Sequence, residues 1–299
     1  MAKDSTYNPE EVSKDTILRV SKSSYNQYAK CPRQYWWSKI ALPDTQIPSS
    51  PEAIRGTAIH QVMEDSLREV SEDKKANIVA DINSGMTITF NKHAVNQKVE
   101  FDIGVDSLRE ILEEVANQWG HLEIIELEDK HAIETVVDYQ GETSPVFVPV
   151  VLVGMIDAVF KHPDGHLVIV ELKTGNANQS KLSRTRGELA YYRKLLMLKG
   201  YTEPITHILT IFPDAQDADF LLSMIEKKNT DVFCGETQGM GIYEPLGTRT
   251  INAMEKKLSK SIKCIMEGEW GIKWNEYFCT QWCEFHLSCN EEILGVSND

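Results

Sequence analysis

The stretch Val168-Ile169-Val170-Glu171-Leu172-Lys173 constrains the fold of this chain more than any other. Four apolar residues run up to Glu171, three of them β-branched, and Thr174-Gly175 follows as a tight turn. That pattern predicts a central strand, where charged groups are costly unless they serve something. Residues two apart on a strand face the same side, so Glu171 and Lys173 project together and Leu172 faces the core. The preceding apolar segment, Val153-Gly154-Met155-Ile156-Asp157, ends on a second carboxylate. A hairpin pairing brings Asp157 beside Glu171. Two carboxylates on adjacent strands suit a hard divalent cation bound through oxygen, Mg²⁺ or Mn²⁺. A lysine beside them can orient a water or stabilise charge on a phosphate. An E-x-K triplet by itself is more often the solvated face of a surface hairpin; the apolar run and the turn separate this one from that reading.

The surrounding pattern is α/β. Ala132 to Tyr139, Val146 to Phe160 and His166 to Leu172 are rich in β-branched residues and separated by turn residues, which predicts a three-strand meander. Before it lie three helical stretches: aromatic-rich Ser21 to Ile40 with a serine cap, Glu52 to Lys75, and Val105 to Trp119. A Pro/Ser loop, Leu42 to Pro51, separates the first two, and residues 76–104 carry no clear pattern. After the meander, Arg184 to Lys199 is a helix stopped by Gly200, Ile205 to Phe212 a buried strand, and Thr248 to Glu267 an amphipathic helix stopped by Gly268. Asp219 to Lys228 fits strand or helix, and the last stretch holds three cysteines with little regular pattern.

The expected organisation is a flexible N-terminus over residues 1–20 and a single domain over 21–299, with a helical insertion at about 65–130. The formal net charge of −14 argues against a general nucleic-acid coat. It leaves room for a local basic track: Lys181 to Lys199 carries Lys181, Arg184, Arg186, Arg193, Lys194 and Lys199 against Glu188 alone. No apolar run reaches the roughly 18–20 residues of a membrane-spanning helix, and the N-terminus lacks the apolar core of a signal peptide. The expectation is therefore a protein with no membrane association, in the cytoplasm, or in the host cytoplasm if phage-encoded.

Taken together, the motifs resemble the RecB-like branch of the PD-(D/E)XK nucleases, from about Ser21 to Cys289. Gly56-Thr57-Ala58-Ile59-His60 is similar to the family's G-x-x-x-H helix, Gly154-Met155-Ile156-Asp157 to its G-x-x-D strand, and Glu171-Leu172-Lys173 to its E-x-K core. Glu188-Leu189-Ala190-Tyr191-Tyr192 stands where the family has Q-x-x-x-Y. The resemblance implies a restriction-endonuclease-like mixed central sheet flanked by helices, with a helical N-terminal part and a C-terminal cysteine segment. It implies metal ligation by His60, Asp157, Glu171 and the Leu172 carbonyl, with Lys173 and Tyr192 catalytic. A lone histidine on a helix is more often a satisfied partial-core residue; the motif order favours ligation. Glu188 departs from the pattern, because a carboxylate cannot donate to a phosphate unless protonated. Metal binding, or pairing with Arg184 or Arg186, is open to it.

Six cysteines are present. Clustered cysteines in a cytosolic chain read as metal ligands before disulfides. Cys279-x3-Cys283-x5-Cys289 near the C-terminus, with Cys31 far upstream, resembles the iron–sulfur RecB-like nucleases: the AddB nuclease domain, the CRISPR-associated Cas-four family and related phage exonucleases. The resemblance implies a [4Fe–4S] cluster over a zinc site, although both take four thiolates and the family's first gap is usually two residues rather than three. Such a centre is a staple closing a loop of nearly the whole chain. Cys234 and Cys264 are expected to be buried thiols.

The implied activity is metal-dependent hydrolysis of DNA, as an exonuclease on single-stranded or end-containing DNA in recombination, replication or CRISPR adaptation. Arg184, Arg186 and Tyr192 would hold the DNA backbone, with Lys22 and Arg33 extending the track. A recombination or replication partner protein is compatible with that role. The rival class is a non-catalytic DNA-binding or assembly module that keeps fold and cluster; intact His60, Asp157, Glu171 and Lys173 argue against it. An iron–sulfur redox protein lacks a G-x-G-x-x-G signature.

Overall fold

The apolar run ahead of Glu171 forms a strand with all six of its residues, Leu167–Leu172, buried. In the computed structural model of the chain, residues 17–43, 50–72, 98–141, 143–214 and 218–294 are described. In chain order the elements are β1 (Leu18–Ser21), α1 (Lys22–Lys30), α2 (Pro32–Trp36), a π-helical turn (Trp37–Ala41), α3 (Pro51–Glu72), α4 (Lys98–Trp119), β2 (Glu123–Gln140), β3 (Pro145–Lys161) and β4 (Leu167–Leu172). There follow α5 (Gln179–Lys199), β5 (Ile205–Phe212), α6 (Ala218–Ile225), β6 (Asp231–Cys234), β7 (Met240–Pro245), α7 (Thr248–Met266), α8 (Glu276–Trp282) and α9 (His286–Leu294). Parallel and antiparallel pairings among seven strands, flanked by helices, give the mixed α/β, restriction-endonuclease-like arrangement that was expected.

The chain divides into two compact units. One gathers the described residues of Ser49–His131 and Gly154–Met254; the other gathers those of Met1–Pro48, Ala132–Val153 and Glu255–Asp299. In the first unit, strands run in the order β3-β4-β5-β7-β6, with β4 and β5 parallel and the other neighbours antiparallel. α3 contributes Ala58, Ile59, Val62, Met63 and Leu67, and α4 contributes Val105, Leu108, Ile111, Leu112 and Val115. This i, i+3, i+4, i+7 spacing buries one stripe of each helix against Ala158, Phe160, Val168, Val170, Leu172, Leu209 and Ile211. A second apolar cluster holds Leu182 of α5, Phe220 and Met224 of α6, and Met240 and Ile242 of β7.

In the second unit β1 runs parallel to the first half of β3, from Leu18↔Val150 to Ser21↔Val153. The helix expected over Ser21 to Ile40 is broken here. Ser21 ends β1 and caps α1 in a capping box with Ser24. Cys31 is extended (φ −152°, ψ 109°) because the ring of Pro32 excludes the helical region for the residue before it. Pro32 then opens α2.

Other boundaries shift too. Residues 18–20, assigned above to a flexible N-terminus, form β1 with Leu18 and Val20 buried, while residues 1–16 lie outside the described set, as do 73–97 and most of the Pro/Ser loop. The stretch 65–130 is not helical throughout, since β2 begins at Glu123. Asp219 to Lys228 resolves to helix α6 over Ala218–Ile225. The cysteine-bearing C-terminal stretch forms two short helices, α8 and α9. β1, β6 and β7 were not foreseen. No helix among the described residues is long and apolar enough to cross a membrane.

Candidate metal centre

The β3–β4 register ends at Ala158↔Val170. One step further along an antiparallel pair, Asp157 stands opposite Glu171, as the hairpin expectation required. Both are buried, at 7% and 2% exposure. Asp157 Oδ2 accepts the Leu172 N–H at 2.9 Å and lies 3.5 Å from His60 Nδ1. Lys173 Nζ is 2.5 Å from Glu171 Oε1 and 2.9 Å from Glu188 Oε2. Glu188 therefore pairs with the lysine of the E-x-K motif, rather than with Arg184 or Arg186. Tyr192, one turn further along α5, has its hydroxyl held protonated far above the usual tyrosine range, by burial first and then by the charges of Glu171 and Asp157.

The two glycine motifs have steric causes. A Cβ on Gly56 would meet Thr174 Oγ1 at 2.8 Å, closer than real side chains sit. Helix α3 thus packs its backbone on the residue that follows Lys173, and His60 lies one turn beyond that contact. Arg55 reinforces the junction. Its guanidinium donates to both Asp214 oxygens at 2.7 and 3.0 Å, and Asp214 Oδ2 also accepts the Gly175 N–H at 2.5 Å. Gly154 plays the same part for α5: a Cβ there would meet Leu195 Cδ1 at 2.6 Å and Tyr192 Cε1 at 3.1 Å.

The basic helix does not present its charges uniformly. Arg184 is exposed. Arg186 gives Nε and an Nη to Glu244 at 2.6 and 2.8 Å, and Glu244, 3% exposed, also takes Lys227 Nζ at 2.5 Å. Lys181 caps the carbonyls of Thr174 (2.5 Å) and Gly175 (3.0 Å), and its ammonium falls to about 8, mainly through burial. Lys22 opens α1, and Arg33 lies 4.9 Å over the Trp36 ring.

Glu128 is a residue the motifs did not point to. One ligand atom each from His60, Glu128 and Asp157 all fall within 4.8 Å of one another. Burial, then the charges of Asp157, Glu64 and Glu171, push the Glu128 carboxyl up to about 8, against the opposing effect of Arg68. Imidazole nitrogen and carboxylate oxygens at this spacing fit a divalent cation.

In the other unit Cys279, Cys283 and Cys289 are all buried. Burial first, then Glu284 and the thiols of Cys289 and Cys279, push the Cys283 thiol up to about 11, against a backbone hydrogen bond at Phe285. Cys31 is also buried, and its chain neighbours reach the same segment. Lys30 Nζ sits 3.2 Å over the Phe278 ring, Gln34 Nε2 donates to Glu284 at 3.3 Å, and Trp37 stacks on Phe285. The break at Cys31 thus falls between contacts to residues adjoining Cys279 and Cys283. A donor set of buried thiols fits a thiolate-ligated metal group. Of the other two, Cys264 is half-buried and Cys234 is exposed, contrary to the expected burial; Cys234 is the last residue of the four-residue strand β6.

No curated protein matches this chain. Among solved structures, one titled "Crystal structure of SSO0001" matches at 15% identity over 78% of this chain and 84% of that one, with a TM-score of 0.30. The family model for the PD-(D/E)XK nuclease superfamily matches residues 19–290, and the chain belongs to that superfamily.

Proposed function

We propose that the protein is a divalent-metal-dependent deoxyribonuclease that acts as an exonuclease on single-stranded or end-containing DNA. The observation that carries this reading is Asp157 opposite Glu171 on adjacent strands, with His60 against Asp157 and Lys173 against Glu171, on elements braced by Gly56–Thr174 and Arg55–Asp214. Asp157, Glu171, His60 and the Leu172 carbonyl would hold Mg²⁺ or Mn²⁺. When bound, such an ion supplies Lewis-acid polarisation of the phosphate and a more acidic attacking water. Lys173, held between Glu171 and Glu188, would bring its ammonium charge to a water or a phosphate oxygen. Tyr192 keeps its proton and can donate it in a hydrogen bond. Water forms the new bond to phosphorus, the ester P–O bond breaks, and the leaving oxygen takes up a proton. Arg184, exposed on α5, would contact the DNA backbone; Arg186, committed to Glu244, would support the helix instead.

The same reading assigns Cys31, Cys279, Cys283 and Cys289 to a [4Fe–4S] cluster of structural role, with zinc as the alternative occupant. Incubating anaerobically purified protein with end-labelled single- and double-stranded DNA, with and without Mn²⁺, tests the activity, and metal analysis tests the cluster. Mn²⁺-dependent shortening from an end and about four irons per chain are expected. No cleavage with Mn²⁺ would overturn the nuclease reading, and one zinc without iron would replace the cluster.

A further inference from the structure

The geometry points to Glu128 as a third carboxylate ligand of the metal centre, completing a His60–Glu128–Asp157 face for a hard divalent cation. This rests on the metal-centre reading above and adds a residue to it. Glu128 lies on β2, two positions past buried Glu126, in a strand whose pattern would otherwise alternate. Its φ is +49°, the left-handed region that side-chain-bearing residues avoid. A residue of this conformation within a strand turns its side chain away from the regular alternation, as bulges beside active sites do. Here the turned side chain brings a carboxylate oxygen within 4.8 Å of the ligand atoms of His60 and Asp157. Among the described residues no hydrogen bond or ion pair holds that carboxylate. The neighbouring acid on α3, Glu64, is by contrast engaged at both oxygens, by Arg68 at 2.7 Å and Gln61 at 3.1 Å. Strain and crowded negative charge are thus accepted at Glu128 with the Arg68 charge as an offset but no direct contact to its carboxylate among the described residues. A cation shared with His60 and Asp157 supplies one.

The test is Mn²⁺ affinity of the full chain without DNA, read by electron paramagnetic resonance of free Mn²⁺, for wild type, Glu128→Gln, Glu128→Gly, Glu64→Gln and Asp157→Ala. Circular dichroism checks each fold. Glu128→Gly keeps the backbone conformation, since glycine adopts positive φ without strain. Both Glu128 variants should weaken Mn²⁺ by at least ~10-fold, as losing a carboxylate ligand implies, while Glu64→Gln stays within about threefold. Wild-type affinity in both Glu128 variants, with Asp157→Ala weakened, would overturn the role of Glu128 and leave the metal centre standing. An equal loss in Glu64→Gln would reduce Glu128 to one part of a general negative field and also overturn ligation. A wild type that binds no Mn²⁺ would sink both readings.

Discussion

Gly56→Ala is a single added methyl group whose consequence can be worked from the coordinates. The new Cβ would lie 2.8 Å from Thr174 Oγ1, about 0.6 Å inside ordinary contact at 3.4 Å. Because Gly56 is interior to α3, alanine itself favours the helix by roughly 0.8–1 kcal/mol. Overpacking opposes this by about 1–3 kcal/mol, so the net stability change is small, from near zero to about 2 kcal/mol. The effect on catalysis is larger. If α3 gives way, His60 moves by several tenths of an ångström from Asp157 Oδ2, now 3.5 Å away. Misplacement by about 1 Å can cost around 10²-fold in rate, so a loss of roughly 10-fold to 10²-fold in metal-dependent cleavage is expected, with only a few degrees lost in Tm. Thr174→Ala removes the colliding oxygen and should restore activity to the double variant. Single-turnover cleavage of end-labelled DNA by the four proteins of this cycle is the assay. Full activity in Gly56→Ala, or no rescue by Thr174→Ala, would refute the idea that this contact positions His60.

Three further outcomes follow from the same contacts. Arg186→Ala strands Glu244 with Lys227 alone and should cost about 2–4 kcal/mol in urea unfolding, whereas Arg184→Ala should leave stability unchanged and lower the salt slope of DNA binding by about one; the reverse pattern would exchange their roles. Glu126, 4% exposed, is driven up by burial, but the His131 ring 3.0 Å away and hydrogen bonds from Lys199 and Tyr201 outweigh this and hold it down to about 2, from an ordinary 4.5. Its contribution is therefore present above pH ~4.5 and lost as pH falls toward 2, an acid sensitivity on the order of 2–3 kcal/mol that Glu126→Gln should flatten; an unchanged pH profile of unfolding in that variant would refute it. Cys31→Ala should lose bound metal and Tm as fully as Cys283→Ala, by metal analysis and thermal unfolding, and a Cys31 variant with wild-type metal content would remove Cys31 from the ligand set.

The parts of the fold legible in the sequence are those where periodicity and burial agree. β4 reads as a continuous apolar run because it is buried on both faces, and Gly200 ends α5 with φ +104°. The opposition of Asp157 and Glu171 followed from counting two strands about one turn. β1, β6 and β7 escaped because four to six residues give too short a pattern, and β7 contains Gly241, whose missing Cβ makes room for Ile111. The break at Cys31 is legible in Pro32, although the aromatic spacing on either side of it reads as one helix. Glu188 was marked as a departure, but its partner is a lysine fifteen residues earlier, which local spacing cannot reveal. Glu128 carried no sequence signal: it stands in a charge-rich stretch, Glu126 to Lys130, broken only by Leu127, and only its backbone angle and its distance to His60 and Asp157 distinguish it.

The central claim is that Asp157 and Glu171 form the heart of a hydrolytic metal site, not a structural ion pair. Cleavage and DNA binding by Asp157→Ala and Glu171→Ala, measured side by side in Mg²⁺ and in Mn²⁺, test it most directly. The account predicts that both variants fold, retain most of their DNA affinity, and show no detectable cleavage with either metal. Cleavage at the wild-type rate by either variant would contradict it.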